Sequence, residues 1–323
     1  MKRSRPRRTA TPVVPIDLRC VRTVALEKRA SKVKTAVFGR PVRRGESLRS
    51  FLAGLPDILA ASDLKDAAAR IASAIRRRKR VVLGMGAHPI KVGLSPLIVD
   101  LLERGRLAGV AMNGACLVHD FELAASGHTS EDVGPGLDRG LFGMARETGE
   151  FLNRATRYGV ATGLGLGAAI GMAIERARLP GRRTSILAAA ARLAIPATVH
   201  VAVGTDIIHM HPSADGASIG EGSLRDFRLL ASLVSRLDGG VYINLGSAVL
   251  MPEVFVKALN LARNVGHRVR TLTTIDMDFN RHYRPAVNVV SRPTTLGGRG
   301  IQLTGHHEIM FPLLWAAVEE SLR

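Results

Sequence analysis

Short apolar, β-branched runs recur along the chain, separated by helical stretches of roughly ten to fifteen residues, and this alternation leaves few architectures open. The run "VVLGM" (81–85) reads as a strand. Residues 108–112, 198–203, 241–244 and 269–274 repeat the pattern. Apolar residues at helical spacing cover about 48–60, 63–78, 97–104, 252–263 and 311–322. Strands joined by helices pair in parallel, and parallel strands need cover on both faces. The expected fold is therefore α/β: a mostly parallel sheet with helices on both faces, preceded by a basic N-terminal extension. The extension is expected over 1–45 and a single α/β domain over 46–323.

Local signals punctuate this frame. Ser95-Pro96 reads as an N-cap followed by proline at the first helical position. Ser223-x-x-Asp226 reads as a capping pattern that opens a helix. The stretch "TGLGLGAAIG" (162–171) has glycines at 163, 165 and 167 but no strand before it, so close helix packing is expected there rather than a phosphate loop.

Of the net charge of +19, residues 1–44 carry +12, from fourteen Lys/Arg and two acidic residues. The excess is thus largely a basic tail, expected to be solvated and capable of weak, sequence-independent nucleic-acid contact. Three Tyr and one Trp give no base-stacking platform. Cys20 and Cys116 cannot form a disulfide framework, which fits a cytoplasmic protein. No uncharged apolar run reaches the ~18 residues a membrane span needs.

Ligands of open parallel sheets bind beyond the carboxyl ends of the strands. The residues expected there are Gly84, Gly86 and His88; Asn113 and Gly114; Thr205 and Asp206; Asn244, Gly246 and Ser247; and Thr274, Asp276 and Asp278. Glycine permits close backbone approach, and amides, hydroxyls and carboxylates bind ribose and phosphate. Together they describe a crevice for a nucleotide-sized ligand. The turn "GMGAHP" alone does not satisfy a dinucleotide fingerprint, because Pro89 stands where the third glycine belongs. His209, His211 and His306 or His307 leave open a metal hydrolase, although no HExxH helix is present.

With "MNGACLVHDFELAASGH" (112–128), "AVGTDIIHM" (202–210), "LGSAVLMPE" (245–253) and "HHEIMFPLL" (306–314) in this order and spacing, the chain resembles the deoxyhypusine synthase family. The resemblance implies a Rossmann-like fold, NAD as cofactor and a homotetramer with sites at subunit interfaces. It implies NAD contacts at Asn113, Gly114, Asp206, Gly246, Ser247 and Thr274, to which the strand-end reading adds Gly84, Gly86 and Thr205. The family's catalytic lysine has no counterpart in "YRPAVNVVSRPTT" (283–295), and the only lysine after Lys91 is Lys257. An imine needs an unprotonated amine, so deoxyhypusine synthesis is not expected. The stretch 84–124 also resembles the nucleotide-binding domain of archaeal-type ornithine cyclodeaminases, which implies NAD chemistry at a carbon bearing an amine. The catalytic candidates are Glu253, Lys257, His282, His307 and Asp276, acting on a small amine, amino acid or related polar metabolite by transient oxidation, with no metal assigned. A non-catalytic NAD-binding scaffold is the competing reading.

Overall fold

The structure, a computed structural model, describes residues 13–322; the expectations for the basic tail at 1–12 lie outside them. Of the described residues, 13–38 form a unit of their own, an exposed chain with single 3-10 turns at Leu26–Lys28 and Thr35–Val37. The compact unit starts at Gly39.

In chain order its elements are α1 (Leu48–Gly54), α2 (Leu59–Arg76), β1 (Val81–Met85), α3 (His88–Lys91), α4 (Ser95–Glu103), β2 (Gly109–Asn113) and α5 (Gly114–Ser126). Next come α6 (Val133–Asp138), α7 (Arg146–Ala161), α8 (Leu166–Arg176), α9 (Ile186–Arg192), β3 (Ala197–His200) and α10 (Gly216–Val234). The chain ends with β4 (Val241–Leu245), α11 (Leu250–Asn264), β5 (Thr273–Asp278), α12 (Tyr283–Pro285, continued as a π-helical turn over Ala286–Ser291), β6 (Arg299–Thr304) and α13 (His307–Leu322). The six strands form one parallel sheet in the order β3-β2-β1-β4-β5-β6, a Rossmann-like arrangement.

Strand alternation divides the core in two. Val81, Leu83 and Met85 of β1 and their neighbours pack with α2, α4, α5 and α13. Val82, Ala111 and Tyr242 point the other way, onto α10 and α11. Both faces are covered, which explains why β1 and β4 are buried at every position and read as largely apolar runs, interrupted only by Asn244 in β4.

Several local expectations are corrected. Ser95 is the first residue of α4 rather than its cap, and its hydroxyl is buried without a partner. Ser223 and Asp226 lie inside α10, whose true cap is Asp215, accepting from the Ser218 amide. Asp226 instead reaches across the core to accept from the amides of Gly167 (3.0 Å) and Val199 (2.7 Å), tying the start of α8 to β3. The strand expected at 269–274 begins at Thr273, and β6 was not foreseen. The glycines of 162–171 do serve packing: a Cβ on Gly167 would lie 2.1 Å from the Ala197 carbonyl oxygen.

A buried polar row crosses the second face. Gly84, Asn244, Asp276 and Gln302 stand in register on β1, β4, β5 and β6. Asn244 Nδ2 donates to Asp276 Oδ1 (2.8 Å) and Gln302 Nε2 to Asp276 Oδ2 (3.1 Å). Tyr242 is stacked on Phe255 at 3.7 Å, and its hydroxyl fills the space a side chain on Gly84 would need. That hydroxyl has no hydrogen-bond partner. A buried polar group without a partner costs free energy that phenylalanine does not incur. Tyr242→Phe is therefore expected to leave stability unchanged or raise it by about 1 kcal/mol, read as an equal or higher urea midpoint. A loss above about 1 kcal/mol would show that the hydroxyl is satisfied.

Candidate functional site

Strand order reverses between β1 and β4, the position where α/β sheets open a crevice. The two strands end in glycine turns that almost touch. Gly86 N donates to Leu245 O (3.0 Å), and Gly246 N donates to Met277 O (2.9 Å). A Cβ on Gly86 would lie 2.3 Å from the Gly246 carbonyl oxygen. Gly246 has φ +63°, which a side chain would strain, and it packs on the His307 ring. Ser247 follows; its Oγ accepts from the Met251 amide in the first turn of α11 (3.1 Å).

On the other side of β1, Asn113 ends β2 and caps α5, accepting from the Cys116 amide at 3.3 Å. Gly114 opens that helix. Its lack of a side chain admits Asp206, whose Oδ2 would be 1.9 Å from a Cβ there. Asp206 is buried and Oδ2 has no hydrogen-bond partner; burial pushes the carboxyl up to about 6. His209 Nδ1 accepts from the amides of Gly204 (3.1 Å) and Asp206 (3.3 Å), fixing this loop. A cavity of about 190 Å³ opens beside Asp206, with Lys91, His119 and Glu122 on its walls. A larger cavity of about 660 Å³ lies between α7 and α8, lined by Phe151, Tyr158 and Met172, away from the strand ends.

Beyond β5 a third group gathers. Asp278 ends the strand with Oδ1 3.7 Å from His307 Nε2 and Oδ2 3.9 Å from His282 Nε2. His307 is 1% exposed and neither ring nitrogen makes a hydrogen bond of good geometry. Burial holds its imidazole below the usual range, against the opposing pull of Asp278. His88 meets the His307 ring edge-on at 5.2 Å, and Phe279 lies 5.8 Å from both.

The expected site residues thus fall into five places, one of them the His282 side chain beside Asp278 beyond β5. Gly86, Gly246, Ser247 and His307 meet at the strand crossing, and Asn113, Gly114 and Asp206 meet beside it. Thr205 is exposed on the same loop as Asp206, its hydroxyl turned to the Ala202 carbonyl (2.7 Å). Gly84, Thr274 and Asp276 belong inside the sheet, below the crevice; Asp276 is 1% exposed, and burial pushes its carboxyl up to about 6. These three are sealed from a ligand at the strand ends, contrary to expectation. Glu253 and Lys257 form their own cluster on α11, where the Lys257 ammonium, with Arg284 at 3.3 Å, holds the Glu253 carboxyl below its usual range. Asn288 also donates to Glu253 at 2.9 Å.

The histidines of the metal alternative do not converge. His211 packs on Gly149 and bonds Ser213, while His209 faces Asp206. Among the described residues no three His, Cys, Asp or Glu side chains form a metal-binding group. No single described helix is long and apolar enough to cross a membrane.

No family model matches the sequence, and no curated protein matches it. Solved structures match its fold. A conserved putative LOR/SDH protein from Methanococcus maripaludis S2 matches with a TM-score of 0.54 and 14% identity over 90% of this chain and 75% of its own. A putative deoxyhypusine synthase from Entamoeba histolytica matches at 0.51 and 13% identity over 87% of this chain and 96% of its own. AgrE, solved as a ternary complex with ornithine and NAD+, matches at 0.52 and 17% identity over 81% of this chain. This chain spans only 34% of AgrE and 31% of ArgZ, an arginine dihydrolase from cyanobacteria. At such identities the likeness is one of fold.

Proposed function

We propose that this protein is an NAD-binding enzyme that transiently oxidises a carbon bearing an amine in a small amine or amino acid. The observation that carries the reading is the meeting of the Gly86 and Gly246 turns at the switch point, beside the start of α5 and the unpartnered Asp206 oxygen. Backbone without side chains lets a dinucleotide lie close, and the start of a thirteen-residue helix offers amides to its phosphates. Asp206 has a lone acceptor suited to a ribose hydroxyl. Asn113, Gly114, Asp206, Gly246 and Ser247 would hold the dinucleotide. Bound there, it supplies the hydride acceptor. The ligand named in the AgrE complex supports the same choice of cofactor.

Titration of the purified protein with NAD by calorimetry tests this directly. Binding at micromolar strength, about −8 kcal/mol, is expected, followed by a rise in NADH absorbance when ornithine or a related diamine is added. Absence of binding, with no NAD released on denaturation, would refute the reading. Binding without NADH formation across amines and amino acids would favour the non-catalytic scaffold.

A further inference from the structure

Two buried side chains in the loop after β3 leave a donor and an acceptor unpaired side by side. Asp206 and His209 keep 6% and 5% of their side-chain surface in solvent. They form a reciprocal cap, in which each side chain accepts from the other's backbone amide. His209 Nδ1 takes a second amide from Gly204 at 3.1 Å. A neutral ring that accepts at Nδ1 carries its proton on Nε2. Burial holds this imidazole below its usual range and so favours the neutral form. Nε2–H is thus a donor without an acceptor, and Asp206 Oδ2 is an acceptor without a donor. The two atoms lie 4.0 Å apart, too far to bond each other.

One oxygen about 2.8 Å from each atom closes that gap. It must accept from Nε2–H and donate to the carboxylate, and a hydroxyl does both. An ammonium only donates and would oppose Nε2–H; a phosphate only accepts and would oppose the carboxylate. Asp206 lines the cavity of about 190 Å³, so a ligand there reaches the pair. Glu122 and Glu131 stand in the same cavity against one ammonium, that of Lys91, which makes it a poor place for a phosphate. The pair also lies on the β1-β2-β3 side of the switch point, at the start of α5. In dinucleotide folds the half that opens with the first glycine turn supplies a carboxylate to the ribose 2′-hydroxyl. Here the polar side chain ending β2 is Asn113, and its Oδ1 is engaged by the Cys116 amide (3.3 Å) and thiol (3.1 Å). Asp206, from the next strand end, stands in its place.

We propose that Asp206 and His209 form one hydroxyl-binding pair that receives the adenosine ribose 2′-hydroxyl of NAD and excludes the 2′-phosphate of NADP. The proposal rests on the NAD-binding reading above and deepens it with His209, to which the family resemblance gives no role. The hydroxyl donates to Oδ2 and accepts from Nε2–H, and no proton changes hands. The reciprocal cap holds both side chains in place before the ligand arrives, so specificity is set by groups that need no rearrangement.

Calorimetry on the full-length protein with three probes tests this: NAD, NAD lacking the adenosine 2′-hydroxyl (2′-deoxy-NAD), and NADP. The wild type is expected to bind NAD about 100-fold more tightly than either analogue, because a buried pair built for a hydroxyl is left unmade or opposed. Asp206→Asn keeps an acceptor for the cap but removes the carboxylate. His209→Asn keeps an acceptor for the two amides and removes Nε2–H. Each is expected to bring the preference for NAD over 2′-deoxy-NAD below about tenfold, through weaker NAD binding. Far-UV circular dichroism and melting establish that each variant is folded. If one does not fold the other carries the comparison, and if neither folds the wild-type preference decides. A wild-type preference for NAD over 2′-deoxy-NAD below about threefold overturns the proposal and leaves NAD binding standing. An undiminished preference in the folded variants also overturns it, and assigns the gap to a bound water. Absence of NAD binding in the wild type refutes the underlying reading and the assigned ligand together.

Discussion

Gly86→Ala is expected to weaken NAD binding by at least about 100-fold, or roughly 3 kcal/mol, and to lower stability at the same time. The cause is a contact between two backbones. The added methyl carbon would sit 2.3 Å from the Gly246 carbonyl oxygen and 3.2 Å from its carbon, and neither is the end of a flexible side chain. The β1 and β4 turns must therefore part. That shift moves Gly246 off His307 and displaces Ser247, so the crevice changes shape even where the rest of the sheet holds. Calorimetry against NAD and a urea midpoint on the same sample read the two effects. A variant that binds NAD within about threefold of the wild type would show that the ligand does not lie across this crossing.

Asp226→Ala is expected to cost about 3 kcal/mol of stability, because it leaves the buried amides of Gly167 and Val199 without an acceptor. Asp226→Asn keeps an acceptor and isolates the charge. Burial pushes the Asp226 carboxyl up to about 7 in the folded protein. The folded state therefore holds this proton more tightly than the unfolded chain does. The resulting stability is complete below about pH 4 and is lost as pH rises through about 7. Asparagine has no such dependence. The stability of Asp226→Asn relative to wild type should improve by about 4 kcal/mol between pH 4 and pH 8, since each tenfold difference in proton affinity between folded and unfolded chain is worth roughly 1.4 kcal/mol. Urea midpoints at the two pH values read it. A constant difference would mean that the native carboxylate is ionised throughout.

Asp226 also shows where the sequence is hard to read. A Ser-x-x-Asp spacing is a fair cap signal, but the side chain serves a tertiary contact some sixty residues away. The strands of the sheet's centre were plain because they are buried on both faces and mostly apolar, Asn244 being the exception in β4. β5 was displaced because it carries Asp276 inside and Asp278 at its end, residues that argue against a strand until Asn244 and Gln302 are seen to bond the first of them. β6 is an edge strand, exposed at its first and last residues and carrying a glycine second, so it has no apolar run to find. In the crevice, the glycine turns after β1 and β4 were legible as strand ends. The depth of each residue was not. Gly84 and Gly86 are two apart in sequence, yet one makes room for Tyr242 and the other meets Gly246. The flanking of Asp278 by His282 and His307 depends on β5 and β6 lying side by side, which no local pattern encodes.

The strand order also bears on how the chain is made. β1 pairs with β2 about thirty residues later, but its other edge waits for β4, where Val81 meets Val241. At about 5 to 20 residues per second, synthesis leaves that edge without its partner for roughly 8 to 30 seconds. During that interval a half-sheet of β1, β2 and β3 presents a row of unpaired amides and carbonyls in the middle of the future core. Until β4 is made, that edge is where the nascent half is open to wrong pairing.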